Sequence, residues 1–237
     1  MKPIFKNLLL LFSLFFVCET AQAKRWSTED ISPEPSLPKG VVLNLDFQNI
    51  QDGLIPSKSL FPLYVPFGEL KFGMARTRRV LLIDPDEKLF IPHSSVLDPN
   101  GKLWVTSIQL YARANGIVVS QCNQTNGYVI YIADGVVHAA IHNEGKTVVL
   151  REKPGCGLGK MFNKQVTVVL QIKPDGAFLF LNRNVVAYAP LKKPFLGKNF
   201  LIQIGKNKHL LPALKKISNL PKQGFSGAVA TFKIIRQ

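Results

Sequence analysis

Short apolar segments alternate with polar turns along most of the chain, and this pattern predicts an all-β protein. Segments with strand-like patterns lie at 41–47, 69–72, 80–83, 103–113, 117–121, 127–132, 136–141, 146–152, 165–172, 200–205 and 228–235. Turn residues that include glycine separate many of them, at 98–101, 125–127, 133–135, 143–145 and 174–176. Regularly spaced short strands joined by such turns are typical of a β-sandwich or barrel.

The segment AFLFLNRNVVA (177–187) predicts a β-hairpin. Phe178 and Phe180 alternate with leucines on its first strand, and two valines lie on the return strand. Asn182 tolerates the positive φ that a tight hairpin turn requires, and Asn184 could do the same. We therefore expect this segment to be the penultimate hairpin of the sandwich, where it serves to build the sheet.

One segment, HLLPALKKISNL (209–220), departs from the β pattern because its leucines and isoleucine are spaced as on a helix. A short helix is therefore predicted near 209–218. Lys215 and Lys216 lie beside the apolar residues, so one interpretation is contact with a membrane or a polyanion. The other interpretation is that the apolar face of the helix caps the sandwich.

The first 23 residues have the composition of a secretory signal peptide. Two lysines precede an apolar run from Leu8 to Cys18, and Ala21-Gln22-Ala23 provides a cleavage site. Cys18 leaves a lipoprotein signal as the alternative. We expect cleavage after Ala23 and a protein that is secreted or periplasmic.

The rest of the chain divides into a leader and one folded domain. Residues 24–40 are polar with three prolines and predict a flexible leader. Residues 41–237 are predicted as a single β domain. No second long apolar run follows the signal peptide, so we expect no transmembrane anchor in the mature protein.

Two cysteines remain after removal of the signal peptide. In an exported chain, Cys122 and Cys156 predict one disulfide, and two unpaired thiols are the alternative. Neither cysteine has a companion at C-x-x-C spacing, which disfavours a zinc or thioredoxin-like site.

Charge narrows the class of partner. The formal net charge is +15, from 30 Lys and Arg against 15 Asp and Glu. A basic exported protein favours anionic partners such as acidic or sulfated polysaccharide, an anionic cell surface or extracellular nucleic acid. The alternative is that the charge serves only solubility. We expect an anionic glycan and no specific nucleic acid.

Four stretches occur in a fixed order along the chain, namely GYVIYIADG (127–135), VTVVLQIKPDG (166–176), LFLNRNVVA (179–187) and FSGAVATFKII (225–235). In this order they resemble laminin-G-like domains of the concanavalin A-like jelly-roll class, over roughly residues 41–237. The resemblance implies two antiparallel sheets packed face to face, with the first and last strands paired. Similar domains are attached to secreted sulfatases and glycosidases of bacteria that degrade marine polysaccharides, and they also stand alone.

Three features depart from that family. Arg183 stands where the family usually has glycine in the hairpin, and a left-handed arginine costs about 1 kcal/mol. Ala230 replaces an acidic residue of the last strand, and the segment 206–222 is longer than the usual loop. The hairpin therefore either uses its asparagines differently or presents Arg183 for a reason.

The candidate ligand-binding residues are basic clusters and aromatic side chains that could hold an anionic sugar. They are Arg76, Arg78, Arg79, Arg183, Lys206, Lys208, Lys215, Lys216 and Tyr128. Arginine grips sulfate or carboxylate through two donors, and lysine adds a point charge. Tyr128, together with Trp104 and Tyr111, could stack on sugar faces. The alternative is that the aromatic residues pack in the core and the lysines are solvated.

Metal and catalytic signals are weak. Asp84 and Asp86 in IDPDEK are the candidate calcium ligands, although such a sequence is often only a turn. His138 and His142 cannot share one ion on a strand, because residues four apart are separated by about 13 Å. The alternating carboxylates of glucanases with this fold are absent. We therefore favour a protein without an enzymatic activity and without a cofactor other than, at most, calcium.

Together these observations predict a secreted, non-catalytic carbohydrate-binding or adhesion module for an anionic polysaccharide. The alternatives are a polysaccharide hydrolase or lyase on the same fold, and a structural protein-interaction domain of the cell envelope.

Overall fold

A computed structural model describes residues 40–50, 52–59, 63–75, 77–152 and 160–237. The expected signal peptide and nearly all of the expected leader lie outside these residues. The strands are β1 (Val41–Leu45), β2 (Leu54–Pro56), β3 (Tyr64–Pro66), β4 (Phe72–Ala75), β5 (Arg78–Ile83), β6 (Lys88–Ile91), β7 (Trp104–Ala112), β8 (Gly116–Cys122), β9 (Gly127–Ala133), β10 (Val136–Asn143), β11 (Lys146–Arg151), β12 (Gln165–Lys173), β13 (Gly176–Leu181), β14 (Asn184–Pro190), β15 (Leu201–Gly205) and β16 (Gly227–Arg236). A single-turn helix, α1, spans Pro212–Lys215, and a 3-10 turn spans Ser95–Leu97.

Two antiparallel sheets form a sandwich, as the sequence predicts. The eight-stranded sheet has the order β14-β13-β12-β7-β16-β5-β4, and β1 also pairs with β16. The six-stranded sheet has the order β11-β10-β9-β8-β15-β6, and β2 and β3 form a separate small sheet. The predicted pairing of the first and last strands is confirmed, because Leu43 lies opposite Ile234 and Leu45 opposite Phe232.

The core lies between the two sheets and follows from alternation along each strand. In β12, Val166, Val168, Leu170 and Ile172 are buried, whereas the residues between them are half-buried. Side chains of a strand point alternately to its two faces, so this pattern buries one face and leaves the other at the surface. Strands β8 and β9 differ, because every residue in them is buried.

The second face of β8 and β9 is buried by residues 206–222, which we call the cover segment. Its Leu210, Leu211 and Leu214 form an apolar cluster with Tyr131, Ala140 and other residues on the outer face of the six-stranded sheet. The predicted helix is present but is only four residues long. Leu214 of this helix is buried against the sheet, together with Leu210 and Leu211 before it. The capping interpretation is therefore confirmed, and these leucines are not available to contact a membrane.

The hairpin at 177–187 is also confirmed, with a turn that differs in detail. Asn182 and Arg183 are the two turn residues, with φ of 47° and 74°. Asn184 instead begins β14. The Asn182 side chain accepts a hydrogen bond from the backbone N–H of Thr167 at 2.9 Å, which ties the turn to β12. Arginine therefore takes the position that glycine usually takes in such turns.

The predicted disulfide is not present at Cys122, which is a free and buried cysteine. Its presumed partner Cys156 lies outside the described residues. The Cys122 thiol lies under the cover segment and is included in the apolar cluster there. In the part of the chain that the structure describes, no helix is long and apolar enough to cross a membrane.

Candidate functional site

The basic residues singled out in the sequence do not form one cluster. Arg78 and Arg79 begin β5, the strand next to the edge strand β4 of the eight-stranded sheet, whereas Arg183 is at the hairpin tip of the opposite edge. Four strand spacings separate β5 from β13, which is about 20 Å. Arg76, the third arginine of the first group, lies outside the described residues. One sulfate or carboxylate group therefore cannot bridge the two edges.

The four predicted lysines lie in or beside the cover segment. Lys206 pairs with Asp86, and the Lys215 ammonium donates to the carbonyl of Lys208 at 3.3 Å. Lys216 follows α1 directly. These lysines lie in the segment that covers the six-stranded sheet, whereas the predicted Arg78, Arg79 and Arg183 belong to the eight-stranded sheet and its hairpin.

Tyr128 cannot stack on a sugar in this structure, which corrects the prediction from the sequence. Its side chain is fully buried, and its hydroxyl is hydrogen-bonded to that of Thr106. Burial raises the pKa of Tyr128 above its usual range. Trp104 is also buried in the core. Both residues pack between the sheets, so the alternative interpretation of core packing is confirmed for them.

The calcium site predicted at Asp84 and Asp86 is not supported by the geometry. The Asp86 carboxylate is paired with the Lys206 ammonium, which already supplies a positive charge where a calcium ion would have to bind. The hydrogen bond and charge of Lys206 lower the pKa of Asp86. Across the described ranges, no three His, Cys, Asp or Glu side chains come together in a way that could hold a metal ion.

The two histidines of β10 are ordinary strand residues, as expected. His138 packs against Tyr131, with 5.2 Å between the ring centroids, and burial lowers its pKa. His142 Nδ1 is 2.7 Å from the hydroxyl of Thr147 on the neighbouring strand. Each imidazole thus has its own local partner.

A surface that the sequence analysis did not select lies on the outer face of the eight-stranded sheet, at the β13–β14 edge. Ala177, Leu179 and Leu181 are buried, so alternation places Phe178 and Phe180 on the outer face. Tyr188 lies opposite Phe178 on β14 and is 54% exposed. We call Tyr188, Phe178 and Phe180 the aromatic row.

The three rings of the aromatic row follow one another closely. The centroids of Tyr188 and Phe178 are 4.8 Å apart, and those of Phe178 and Phe180 are 6.4 Å apart. The rings are tilted by 40° and 36° to one another. A Cβ on Gly176 would come within 2.6 Å of the Tyr188 ring, so glycine is what lets this ring lie against the sheet.

Two cations accompany the aromatic row. The Lys173 ammonium is 5.2 Å from the centroid of Phe178, a distance that allows a cation–π interaction. Arg183 is exposed at the tip of the same hairpin, beyond Phe180. One carboxylate, Asp175, lies in the turn that joins β12 to β13.

Polar side chains continue the surface beyond the aromatic row. In register across the sheet, Gln171 lies opposite Phe178, and Val169 lies opposite Phe180 and Ser107. Farther along β12, Thr167 lies opposite Gln109. These residues are half-buried. The outer face thus combines one exposed and two half-buried aromatic rings with amide and hydroxyl groups, as binding sites for small polar molecules do.

Comparison with known proteins identifies the fold. No protein-family model and no curated protein sequence matches the chain. Among solved structures, it is similar to the binding domain of Paraclostridial Mosquitocidal Protein 1, with a TM-score of 0.64 and 10% identity over 84% of this chain and 49% of that one. It is also similar to the botulinum neurotoxin serotype G binding domain, with a TM-score of 0.59 and 11% identity over 83% and 48%.

A third similar structure is the botulinum neurotoxin serotype D ligand binding domain in complex with N-acetylneuraminic acid. The TM-score is 0.61, with 12% identity over 84% of this chain and 48% of that one. The chain thus spans about half the length of the domains it matches. At this level of identity the likeness shows the fold alone, a lectin-like β-sandwich.

Proposed function

We propose that this chain is a non-catalytic glycan-binding module, exported by its signal peptide, and that it binds sugar through the aromatic row of a laminin-G-like jelly roll. The observation that carries the proposal is a row of three neighbouring rings on the outer face of a sheet whose other outward residues are largely polar. Tyr188 is exposed, and Phe178 and Phe180 are half-buried beside it. Packing does not account for Tyr188, because more than half of its surface is in contact with solvent.

The chemistry of a sugar suits such a row. One face of a pyranose ring carries C–H bonds whose partial positive charge is attracted to the negative face of an aromatic ring. Aromatic side chains also provide a large contact area while losing little conformational entropy on binding. The neighbouring amide and hydroxyl groups of Gln171, Thr167 and Gln109 can exchange hydrogen bonds with sugar hydroxyls.

An anionic glycan is the proposed ligand because cations flank the row. Lys173 lies over Phe178, Arg183 is exposed at the tip of the same hairpin, and the net charge of the chain is +15. Arg183 can donate two parallel hydrogen bonds to a carboxylate or sulfate. Binding should therefore weaken as salt rises, because salt screens charges at an exposed surface.

Two similar structures support a glycan as ligand. One is the neurotoxin domain in complex with N-acetylneuraminic acid, and another is described as the binding domain of botulinum neurotoxin DC in complex with SialylT. Those ligands belong to those proteins. They support the proposal because the same kind of sandwich serves there as a binding domain.

The test compares two tyrosines with nearly equal exposure. Tyr188 is 54% exposed in the aromatic row, and Tyr64 is 56% exposed on β3. Mature protein, residues 24–237, is applied to an array of neutral and sulfated glycans at two salt concentrations. We expect Tyr188→Ala to lower affinity about tenfold, the loss typical of one aromatic contact. Tyr64→Ala should bind as the unchanged protein does.

The proposal fails if both tyrosine variants bind equally well, or if the unchanged protein ignores every glycan at low salt. Lys173→Ala should retain the binding of neutral glycans and reduce the salt dependence for sulfated ones. The same samples are checked for shortened polysaccharide chains. Release of product would contradict the non-catalytic part of the proposal.

A further inference from the structure

A concave surface lies on the other sheet, away from the aromatic row. This pocket has a volume of about 650 Å³ and lies where the β8–β9 turn, the start of β15 and the start of the cover segment meet. Its volume is within the range of about 300–1,000 Å³ that is typical of small-ligand sites. None of the residues that form the aromatic row lines it.

The floor of the pocket is apolar. Leu211 and Cys122 are buried, and Leu201 and Pro212 are exposed and also line the pocket. Leu201 is 38% exposed, which is unusual for a leucine in an otherwise well-packed strand. An apolar surface of this kind suits the C–H face of a small ring.

The rim of the pocket is polar and positively charged. Lys198 and His209 line it, together with the side chains of Gln124, Thr125 and Asn199. Its lining includes no Asp or Glu. Within the described residues, neither Lys198 nor His209 forms an ion pair. The charge of the pocket is therefore uncompensated and favours an anion.

Hydrogen bonds hold the two sides of the rim in place without a ligand. The Asn123 side-chain oxygen accepts from the backbone N–H groups of Thr125 and Asn126 at 2.9 and 2.7 Å. Its side-chain nitrogen donates to the carbonyl of Lys198 at 3.1 Å. The β8–β9 turn is thus fastened to the residue that supplies the cation, and a preformed site loses little entropy on binding.

The opposite side of the rim is held in the same way. The backbone N–H of His209 donates to the Asn207 side chain at 2.7 Å. The Asn207 side chain in turn donates to the hydroxyl of Ser120 in β8 at 2.6 Å. The start of the cover segment is therefore attached to the sheet beside the pocket.

We infer that this pocket is a separate binding site for a sugar acid, a monosaccharide unit that carries one carboxylate. Lys198 and His209, which line the same rim, would bind the carboxylate. The side chains of Gln124, Thr125 and Asn199 would bind the sugar hydroxyls, and the apolar floor would contact the ring. A single lysine and a histidine match one negative charge. An acyl chain would leave the polar rim without partners, which is costly.

The test uses free monosaccharides, which are too small to depend on the aromatic row. Mature protein is titrated with glucuronic acid and N-acetylneuraminic acid, and with glucose and N-acetylglucosamine as neutral counterparts, and binding is followed by NMR. We expect the acids to bind and to shift the amide signals of Thr125 and Asn199. The neutral sugars should bind at least tenfold more weakly, as expected for loss of a hydrogen bond to a charged group.

Two lysine variants with the same change of charge separate the pocket from the overall charge. Lys198→Glu should abolish binding of the acids, whereas Lys192→Glu should leave it unchanged. Lys192 is an exposed lysine of the same loop that does not line the pocket. Lys198→Gln tests the same contact if the glutamate variant does not fold.

The inference is overturned if acids and neutral sugars bind equally, if the two lysine variants behave alike, or if no acid binds at millimolar concentration. Tyr188→Ala should retain binding of the monosaccharide acids. A protein that binds polymers through the aromatic row but ignores these acids would overturn this inference alone. The reverse result would overturn only the proposed function of the row.

Discussion

The outer faces of the two sheets differ, although both belong to the same sandwich. On the six-stranded sheet, β8 and β9 are buried on both faces because the cover segment packs its leucines on them. On the eight-stranded sheet, the outward residues of β12 and β13 are half-buried, and Tyr188 of β14 is exposed.

The residues of each face explain the difference. The covered face presents Ile117, Val129, Tyr131 and Ala140, which stabilise the protein when they are removed from water. The open face presents largely polar side chains such as Gln171 and Gln109, for which burial would be costly. Packing does not explain three outward rings among polar neighbours, of which Tyr188 is exposed, and this makes the aromatic row a candidate binding surface.

The largest expected effect compares one residue from each face. Leu214 of the cover segment is completely buried against the six-stranded sheet, so Leu214→Ala should lower the free energy of unfolding by about 2–4 kcal/mol. Tyr188→Ala should change it by about 0.5 kcal/mol or less, as exposed positions do. Urea denaturation of the two variants measures both values. Equal losses would mean that the two faces do not differ in packing.

The second prediction uses the thiol beneath the cover segment. Burial raises the pKa of Cys122 to about 12, whereas an unfolded thiol ionises at about 8.5–9. The stabilisation from this raised pKa is present below the unfolded value and is lost as pH rises toward the folded one. We expect the free energy of unfolding of the unchanged protein to fall relative to Cys122→Ala between about pH 9 and pH 12.

Measuring the difference between these two proteins cancels the titration of other groups. Denaturation curves at several pH values in that range provide it. If the two proteins lose stability in parallel, the thiol is not held in a buried environment and the cover segment does not close over it.

The third prediction concerns the turn beside the aromatic row. Because Arg183 has a φ of 74°, Arg183→Gly should raise the free energy of unfolding by about 0.5–1 kcal/mol. The same change removes a cation from the end of the row and should weaken binding of sulfated glycans. Calorimetry and glycan binding test the two effects separately. A lower free energy of unfolding would contradict the first effect, and unchanged binding of sulfated glycans would contradict the second.

The smallest effect is expected at the predicted calcium ligand. The Asp86 side chain is 85% exposed in its pair with Lys206, so Asp86→Asn should leave the melting temperature nearly unchanged. Asp46 provides the contrast, since its side chain is only 5% exposed and accepts from Lys58 at 2.8 Å. Asp46→Asn should be clearly destabilising. A melting temperature that rises with calcium in the unchanged protein but not in Asp86→Asn would show that Asp86 does bind calcium.

Local patterns predicted much of the fold. Alternation and turn residues located the hairpin at 177–187, because these signals come from neighbours in the chain. The family resemblance implied the pairing of the first and last strands, because it depends on the order of several motifs along the chain. The same patterns could not assign Tyr128. Strand β9 reads GYVIYIA, which is apolar on both faces, so nothing local tells which tyrosine faces the core.

The candidate site was harder to predict for the same reason. Phe178 and Phe180 alternate with leucines, and all four residues are apolar. The alternation shows that the phenylalanines share one face but not that this face is outward. Their outward position becomes visible only when Leu179 and Leu181 are seen packed in the core and no segment among the described residues covers the rings completely.

The sequence by itself determined most of the longer strands, the turns between them and the positive charge, because these depend on neighbours in the chain and on composition. It did not predict the short strands β2, β3 and β6, and the strand predicted at 69–72 overlaps β4 only at Phe72. Only the tertiary structure decided which apolar face is covered, that Cys122 is buried as a free thiol, and that the cations are divided between opposite edges and sheets. These features depend on contacts between residues far apart in sequence. The cover segment and the β13–β14 edge acquire their roles from what packs on them, and that is a property of the folded chain.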